Sequence, residues 1–236
     1  MSRAPAEKHR HIPVRGIVDR VVLGGSDGTI ESLATTAALN GAGVVFRTLL
    51  VAGLALSLGG AASMLFSNYL SKRSEQESLR IDVERERMEI ETEPEEEKRE
   101  LADLLAKEGY GPGEVAAIIE RVTKDKETWL RAQLRHELNI NLDDTSPNTV
   151  KTSLAAGGAF LLFALIPLVP YLFEASRLGV LLLSSSLGLL ALFLLGSTRL
   201  ISLANFNPLR GLESAGVGAA AVVLLFAIGK VLSVFH

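Results

Sequence analysis

Cysteine is absent from all 236 residues. That excludes disulfides, thiolate metal ligands and cysteine nucleophiles together, and it leaves the redox compartment open. Aromatic residues make up only 6% of the chain and no basic patch interleaves with them, so nucleic acid is not an expected partner. The first sixteen residues carry Lys8, His9, Arg10, His11 and Arg15 without leading into a short apolar core and a small-residue cleavage site, so no removable signal peptide is expected. No Glu-x-x-His pair occurs, and the usual ferritin-like di-iron signature is therefore unmet.

What the chain does contain is sharply segregated. Most of its charge lies between residues 71 and 148, residues 153–236 are almost wholly apolar, and the formal net charge of −3 averages an acidic middle against basic flanks. Such a chain is read in two solvents, lipid and water. A bilayer core takes about 20 apolar residues per helix, and residues 153–173, 178–195 and 211–235 meet that length. A fourth segment, 44–70, is rich in small residues (Gly53, Gly59, Gly60, Ala61, Ala62, Ser63) that let helix backbones approach closely in lipid. A fifth, 17–45, is marginal because Asp19, Arg20, Asp27, Glu31 and Asn40 interrupt it. A helix of that kind survives in a membrane only with its polar face turned into a bundle or a wet cavity.

The expected fold is an all-α membrane protein of about five transmembrane helices. Residues 1–70 hold an N-terminal segment and helices 1 and 2, residues 71–148 form a cytoplasmic Glu-rich helical domain between helices 2 and 3, and residues 149–236 hold helices 3 to 5. Lys and Arg are concentrated in the N-terminal segment, in the insertion and in the last connection (Arg199, Arg210). The positive-inside rule then puts the N-terminus and the insertion in the cytoplasm and the C-terminus outside.

Within the insertion, the first helix continues out of helix 2 to about Glu91. Thr92 and Glu95 fit a capping box, with Pro94 in the first turn of a second helix that ends at Gly109. After Gly111-Pro112-Gly113 a third helix runs to about Thr123, Asp125 caps a fourth that reaches Asn139, and residues 143–147 link back to the bilayer. Glu86 and Glu89 share one helix face, as do Glu97 and Glu100 on the next. A turn near Pro94 would lay the two helices side by side and gather four carboxylates, which is favourable only if protons or a cation neutralise them. Carboxylate oxygen without cysteine suits Fe²⁺, Mn²⁺, Mg²⁺ or Ca²⁺. The other reading is a solvated face, with Arg85, Arg87, Lys98 and Arg99 as ion-pair partners.

Asp27 falls roughly 15 Å into a helix that begins near Ile17, close to mid-membrane. A carboxylate there is a functional candidate, the alternative being a structural ion pair with Arg20 or Lys230. Glu31, one turn on, shares its face and is a candidate proton or metal relay. Met64 offers a soft thioether, although a membrane methionine by itself is ordinarily core packing. Glu213 is read as an ion-pair partner of Arg210, His136 as a surface or interhelical residue, and Pro167 and Pro170 as a kink or early exit of helix 3.

Taken in order, several of these elements resemble the vacuolar iron transporter family, which moves ferrous iron, and in some members manganese, out of the cytosol. They are Gly25-Ser26-Asp27-Gly28, Ala62-Ser63-Met64 with Tyr69-Leu70-Ser71, the Glu-rich insertion, Ile166-Pro167-Leu168-Val169-Pro170-Tyr171 and Asn207-Pro208-Leu209-Arg210. The resemblance implies that Asp27 and Met64 are intramembrane metal ligands. It further implies that Glu86, Glu89, Glu97, Glu100 and Glu137 bind metal on the cytoplasmic side, and that the protein is a homodimer with its path at the subunit interface.

The function expected is that of a proton-coupled exporter of divalent transition metal, Fe²⁺ first and Mn²⁺, Co²⁺ or Zn²⁺ also compatible. It would act in a prokaryotic plasma membrane or a vacuolar-type membrane, without a prosthetic group. The alternative is a membrane-anchored metal buffer or sensor that carries no flux. An enzyme such as a ferroxidase is disfavoured by the missing Glu-x-x-His pairs.

Overall fold

The computed structural model describes residues 14–139, 148–173, 176–197 and 207–235, and among them every regular element is helical. In chain order these are α1 (Val14–Gly41), α2 (Phe46–Thr92), α3 (Pro94–Lys107), α4 (Pro112–Val122), α5 (Lys126–His136), α6 (Thr149–Leu165) with a 3-10 extension (Ile166–Leu172), α7 (Arg177–Ser197) and α8 (Pro208–Leu232), closed by a 3-10 turn (Ser233–Phe235). Two compact units result, one from the chain up to Leu70 and again from Pro147, the other from Ser71–Ser146.

In the first unit four helices are long and apolar enough to cross a bilayer: α2, α6 with its extension, α7 and α8. Val51, Leu58, Phe66, Leu162, Leu182 and Val223 stand exposed along them, a surface that lipid solvates and water does not. α1 does not reach that apolar threshold, yet it packs against α6, α7 and α8. Its glycines make this possible. A Cβ on Gly24 or Gly28 would overlap the backbone carbonyls of Ala156 and Phe160, so the α1 and α6 backbones touch there. Several polar side chains of α1 find partners inside the protein: Thr29 Oγ1 donates to Gly25 O at 2.7 Å, Thr36 Oγ1 to Ser32 O at 2.8 Å, and Asn40 Nδ2 to the Tyr171 hydroxyl at 2.9 Å. The helix that hydropathy ranks lowest is thus heavily covered by its neighbours.

The prolines of the third apolar segment turn its end into a 3-10 helix. Pro170 has no N–H to give Pro167 O, and Ser184 Oγ of α7 donates to that carbonyl at 2.7 Å. At the α1–α2 turn, Gly43 takes a φ of +78°, a conformation that favours glycine. Arg177 Nη1 donates to Val44 O there at 3.0 Å, and its guanidinium lies 5.4 Å from the centroid of Phe46. Asn207 caps α8 by accepting from Leu209 N–H at 3.1 Å, with Pro208 in the first turn. Asn205, Phe206 and the 143–147 linker lie outside the described residues.

The second unit closes on Ile90 of α2, Leu101 and Leu105 of α3, Val115 of α4, and Trp129, Leu130 and Leu134 of α5. The capping box at Thr92 does not form. Thr92 is the last residue of α2, where its hydroxyl donates back to Met88 O at 2.9 Å, and Glu93 starts α3 ahead of Pro94 without a side-chain cap. Gly109, at φ +100°, ends α3: Tyr110 N–H reaches Leu105 O and Gly109 N–H reaches Ala106 O, the paired bonds of a Schellman motif. Asp125 caps α5 by accepting from Thr128 N–H at 2.9 Å. That helix stops at His136, short of the expected Asn139, which takes a left-handed φ of +53°.

Candidate metal centre

Glu86 lies one turn before buried Ile90 on α2, and Glu97 one turn before buried Leu101 on α3, so both acids continue an apolar stripe into the interior. Glu86 is 1% exposed and Glu97 5%. Glu137, at the C-terminal end of α5, closes the group from the solvent side. Each offers a carboxylate oxygen, and these three oxygens lie within 4.8 Å of one another. A hard divalent cation separates its ligand oxygens by up to about 4.2–5.2 Å, so the cluster matches such an ion in size.

The surrounding bases are largely committed elsewhere. Lys98 pairs with Glu95 at 2.6 Å, Arg99 with Glu96, Arg87 with Glu127 at 3.7 Å and Lys126 with Glu91 at 2.9 Å. Arg85 binds Asp82 at 3.2 Å and stands 3.9 Å from Glu86 Oε1. No backbone N–H or neutral side-chain donor reaches either oxygen of Glu86 among the described residues. Burial, then the charges of Glu137, Glu89 and Glu97, push the Glu86 carboxyl from its ordinary 4.5 up to about 7, with Arg85 opposing. Burial likewise raises Glu97, with Glu100, Glu89 and Glu137 adding to it and a hydrogen bond from Gln133 opposing. Glu137 is raised by burial and by Glu100 and Glu89, with Arg85 and a side-chain hydrogen bond with Glu86 opposing. All three shifts favour the protonated forms over the charged ones.

Of the expected cytoplasmic ligands, then, Glu86, Glu97 and Glu137 meet directly, while half-buried Glu89 and exposed Glu100 act on them through charge. His136 is not drawn in; its Nδ1 lies 2.8 Å from Glu108 Oε1, an interhelical contact. Gln133, one turn before Glu137, is fully buried and donates from Nε2 to Glu97 Oε2.

In the first unit, Glu31 reaches α2. A Cβ on Gly60 would stand 3.2 Å from Glu31 Oε1 and 2.5 Å from the Phe160 ring. Met64, one turn beyond Gly60, packs on the cluster of Ala61, Phe160 and Ala164. Asp27 is exposed on α1, and no charged neighbour from Arg20 or Lys230 reaches it among the described residues. Glu213 forms no ion pair with Arg210 among the described residues, and both are exposed.

Four bilayer-length apolar helices among the described residues, with a separate helical unit that gathers three carboxylates, define the class of multi-pass integral membrane proteins. Over residues 18–230 the chain matches the VIT family model, and it belongs to that family. It is 31% identical over 223 residues to Vacuolar iron transporter 1 of Arabidopsis thaliana, covering 94% of this chain and 88% of that protein. It is 28% identical over 233 residues to Vacuolar iron transporter 1 of Oryza sativa subsp. japonica, covering 97% and 92%. The Vacuolar iron transporter of Centaurea cyanus is 30% identical over 224 residues, covering 94% and 91%.

Proposed function

We propose that this chain is a proton-coupled transporter that exports divalent transition metal from the cytosol, with Fe²⁺ the first choice and Mn²⁺ compatible. Family membership supports metal transport. The observation that carries the site is the acid cluster itself: Glu86 and Glu97, both buried, with Glu137 beside them, one carboxylate oxygen from each within 4.8 Å of the others. A buried like-charge group of this kind is unfavourable until a cation or protons neutralise it.

In this reading α1 is a fifth crossing, the 71–148 domain is cytoplasmic, and two copies assemble with their Asp27 residues along a shared path. The exposure of Asp27, on a helix that packs against α6, α7 and α8, supports that assembly, because a carboxylate facing lipid would be costly. Cytoplasmic carboxylates collect the ion, Asp27 and Met64 receive it in the membrane, and Glu31 serves as a second proton site. Protons and metal compete for the same oxygens, which couples their movements in opposite directions.

The test is metal flux into proteoliposomes under an imposed pH gradient, wild type against Asp27→Asn. Gradient-driven uptake that the variant loses, with its size-exclusion profile unchanged, supports the reading. Undiminished flux through the variant removes Asp27 from the path. Binding without any flux in the wild type would make the protein a membrane-anchored buffer or sensor.

A further inference from the structure

A cluster of buried acids is eased by a nearby counter-charge, and one base of the second unit is placed to supply it. Lys98, Arg99, Arg87 and Lys126 hold acids outside the cluster, Glu95, Glu96, Glu127 and Glu91. Arg85 is divided. Its Nη2 lies 3.2 Å from Asp82 Oδ1 and 3.9 Å from Glu86 Oε1, so one guanidinium stands between an acid outside the cluster and an acid inside it. Asp82, Arg85 and Glu86 follow one another at i, i+3 and i+4 on α2 and share a face of that helix. The two contacts are unequal. The distance to Asp82 falls within hydrogen-bonding range, whereas the distance to Glu86 leaves attraction between charges without a hydrogen bond. The charge of Arg85 reaches Glu137 as well as Glu86. Its side chain is 48% exposed and that of Asp82 32%, against 1% for Glu86, so the guanidinium has room to move where the buried acid has none.

A guanidinium keeps its charge across the whole physiological pH range. A carboxyl gives up its proton when a metal ion arrives, but an arginine cannot be neutralised and can only be moved aside. We propose that Arg85 is a tethered competitor of the metal ion: it supplies the empty cluster with positive charge beside Glu86, and an arriving divalent cation repels it onto Asp82. The inference rests on the reading of Glu86, Glu97 and Glu137 as a metal site and adds a residue that weakens it. Binding is looser than the three carboxylates alone would give, because the incoming charge meets Arg85. Release is correspondingly faster, since the guanidinium returns as the ion leaves, which suits a site that hands its ion on. Asp82 acts in the opposite sense, by holding Arg85 away from the cluster.

The experiment titrates Mn²⁺ into the purified full-length protein, reading free ion by electron paramagnetic resonance, with thermal melting to check that each variant is folded. Glu86→Gln comes first: the sites it loses are those of the cluster, and their affinity is what the other variants are compared by. Arg85→Gln is expected to bind Mn²⁺ roughly 3- to 30-fold more tightly at those sites, a gain that damage to the fold does not produce. Asp82→Asn is expected to bind more weakly, because Arg85 is freed toward Glu86. Since Asp82 acts through Arg85, its effect should vanish in the double variant, which should bind as Arg85→Gln does. Unchanged or weakened affinity in Arg85→Gln overturns the proposal and leaves the glutamates standing as the site. An Asp82→Asn effect of equal size with and without Arg85 overturns it too, because Asp82 would then act on the metal directly. If Glu86→Gln loses no site, the three glutamates do not bind metal, and both readings fall together.

Discussion

Glu86 concentrates the conflict between folding and function. Its apolar neighbours hold it in the interior, where its charged form is disfavoured, and its carboxyl is pushed up to about 7. In the metal-free protein a carboxyl raised in the folded state stabilises fully below its ordinary value of 4.5, and that contribution is lost as pH rises through about 7. At about 1.4 kcal/mol per pH unit the whole effect is on the order of 3 kcal/mol. Metal-free protein is therefore expected to melt at a lower temperature near pH 8 than near pH 5, and Glu86→Gln to flatten that difference by raising the melting temperature at the alkaline end. Metal binding runs the other way. Affinity for Mn²⁺ should weaken as pH falls through about 7, because the proton must leave first. A metal-free melting temperature that is flat across this range would show that Glu86 is not held in the state described.

At the scale of elements, α1 and α6 depend on direct backbone contact. Gly28 faces Phe160 O with no room for a Cβ, whereas Gly59 on α2 has nothing within 4 Å of where a Cβ would stand. Gly28→Ala should therefore cost about 1–3 kcal/mol by overpacking. Gly59→Ala should be neutral or stabilising, since alanine is the better helix former by about 1 kcal/mol. Thermal melting of the two variants in one detergent decides this, and equal melting temperatures would mean that the helices do not touch at Gly28. The element boundaries in the second unit follow local chemistry where the chain has one obvious solution. Asp125 and Gly109 behave as their sequence contexts dictate, because a cap or a left-handed glycine involves only a few neighbouring residues. Thr92 does not, because its hydroxyl has a second acceptor in Met88 O one turn back and takes it.

For the whole molecule, the open matter is how often the chain crosses the membrane and which way it faces. The absence of cysteine makes single-cysteine labelling direct. With five crossings, cysteine placed at Ser2 and at exposed Glu120 reacts from the same side of a sealed vesicle, while cysteine placed at Val234, 78% exposed, reacts from the other. Labelling of Ser2→Cys and Glu120→Cys from opposite sides would mean that α1 does not span.

The sequence by itself determined the helical class, the apolar segments, most caps and the existence of an acid-rich insertion, because each follows from composition or from contacts within a few residues. It also singled out Glu86 and Glu97 by their helix faces, whereas Glu137 came only from the family resemblance. What it left open was whether those acids were a solvated face or an interior site, since Glu86, Glu97 and Glu137 look no different in sequence from Glu95, Glu96 and Glu127, which pair with nearby bases. Only the packing of α2, α3 and α5 buries Glu86 and Glu97 and leaves Glu137 at the solvent edge. Burial sets the energy of a charge, and burial belongs to the assembled unit, as the fully enclosed Gln133 and the covered but polar α1 both show.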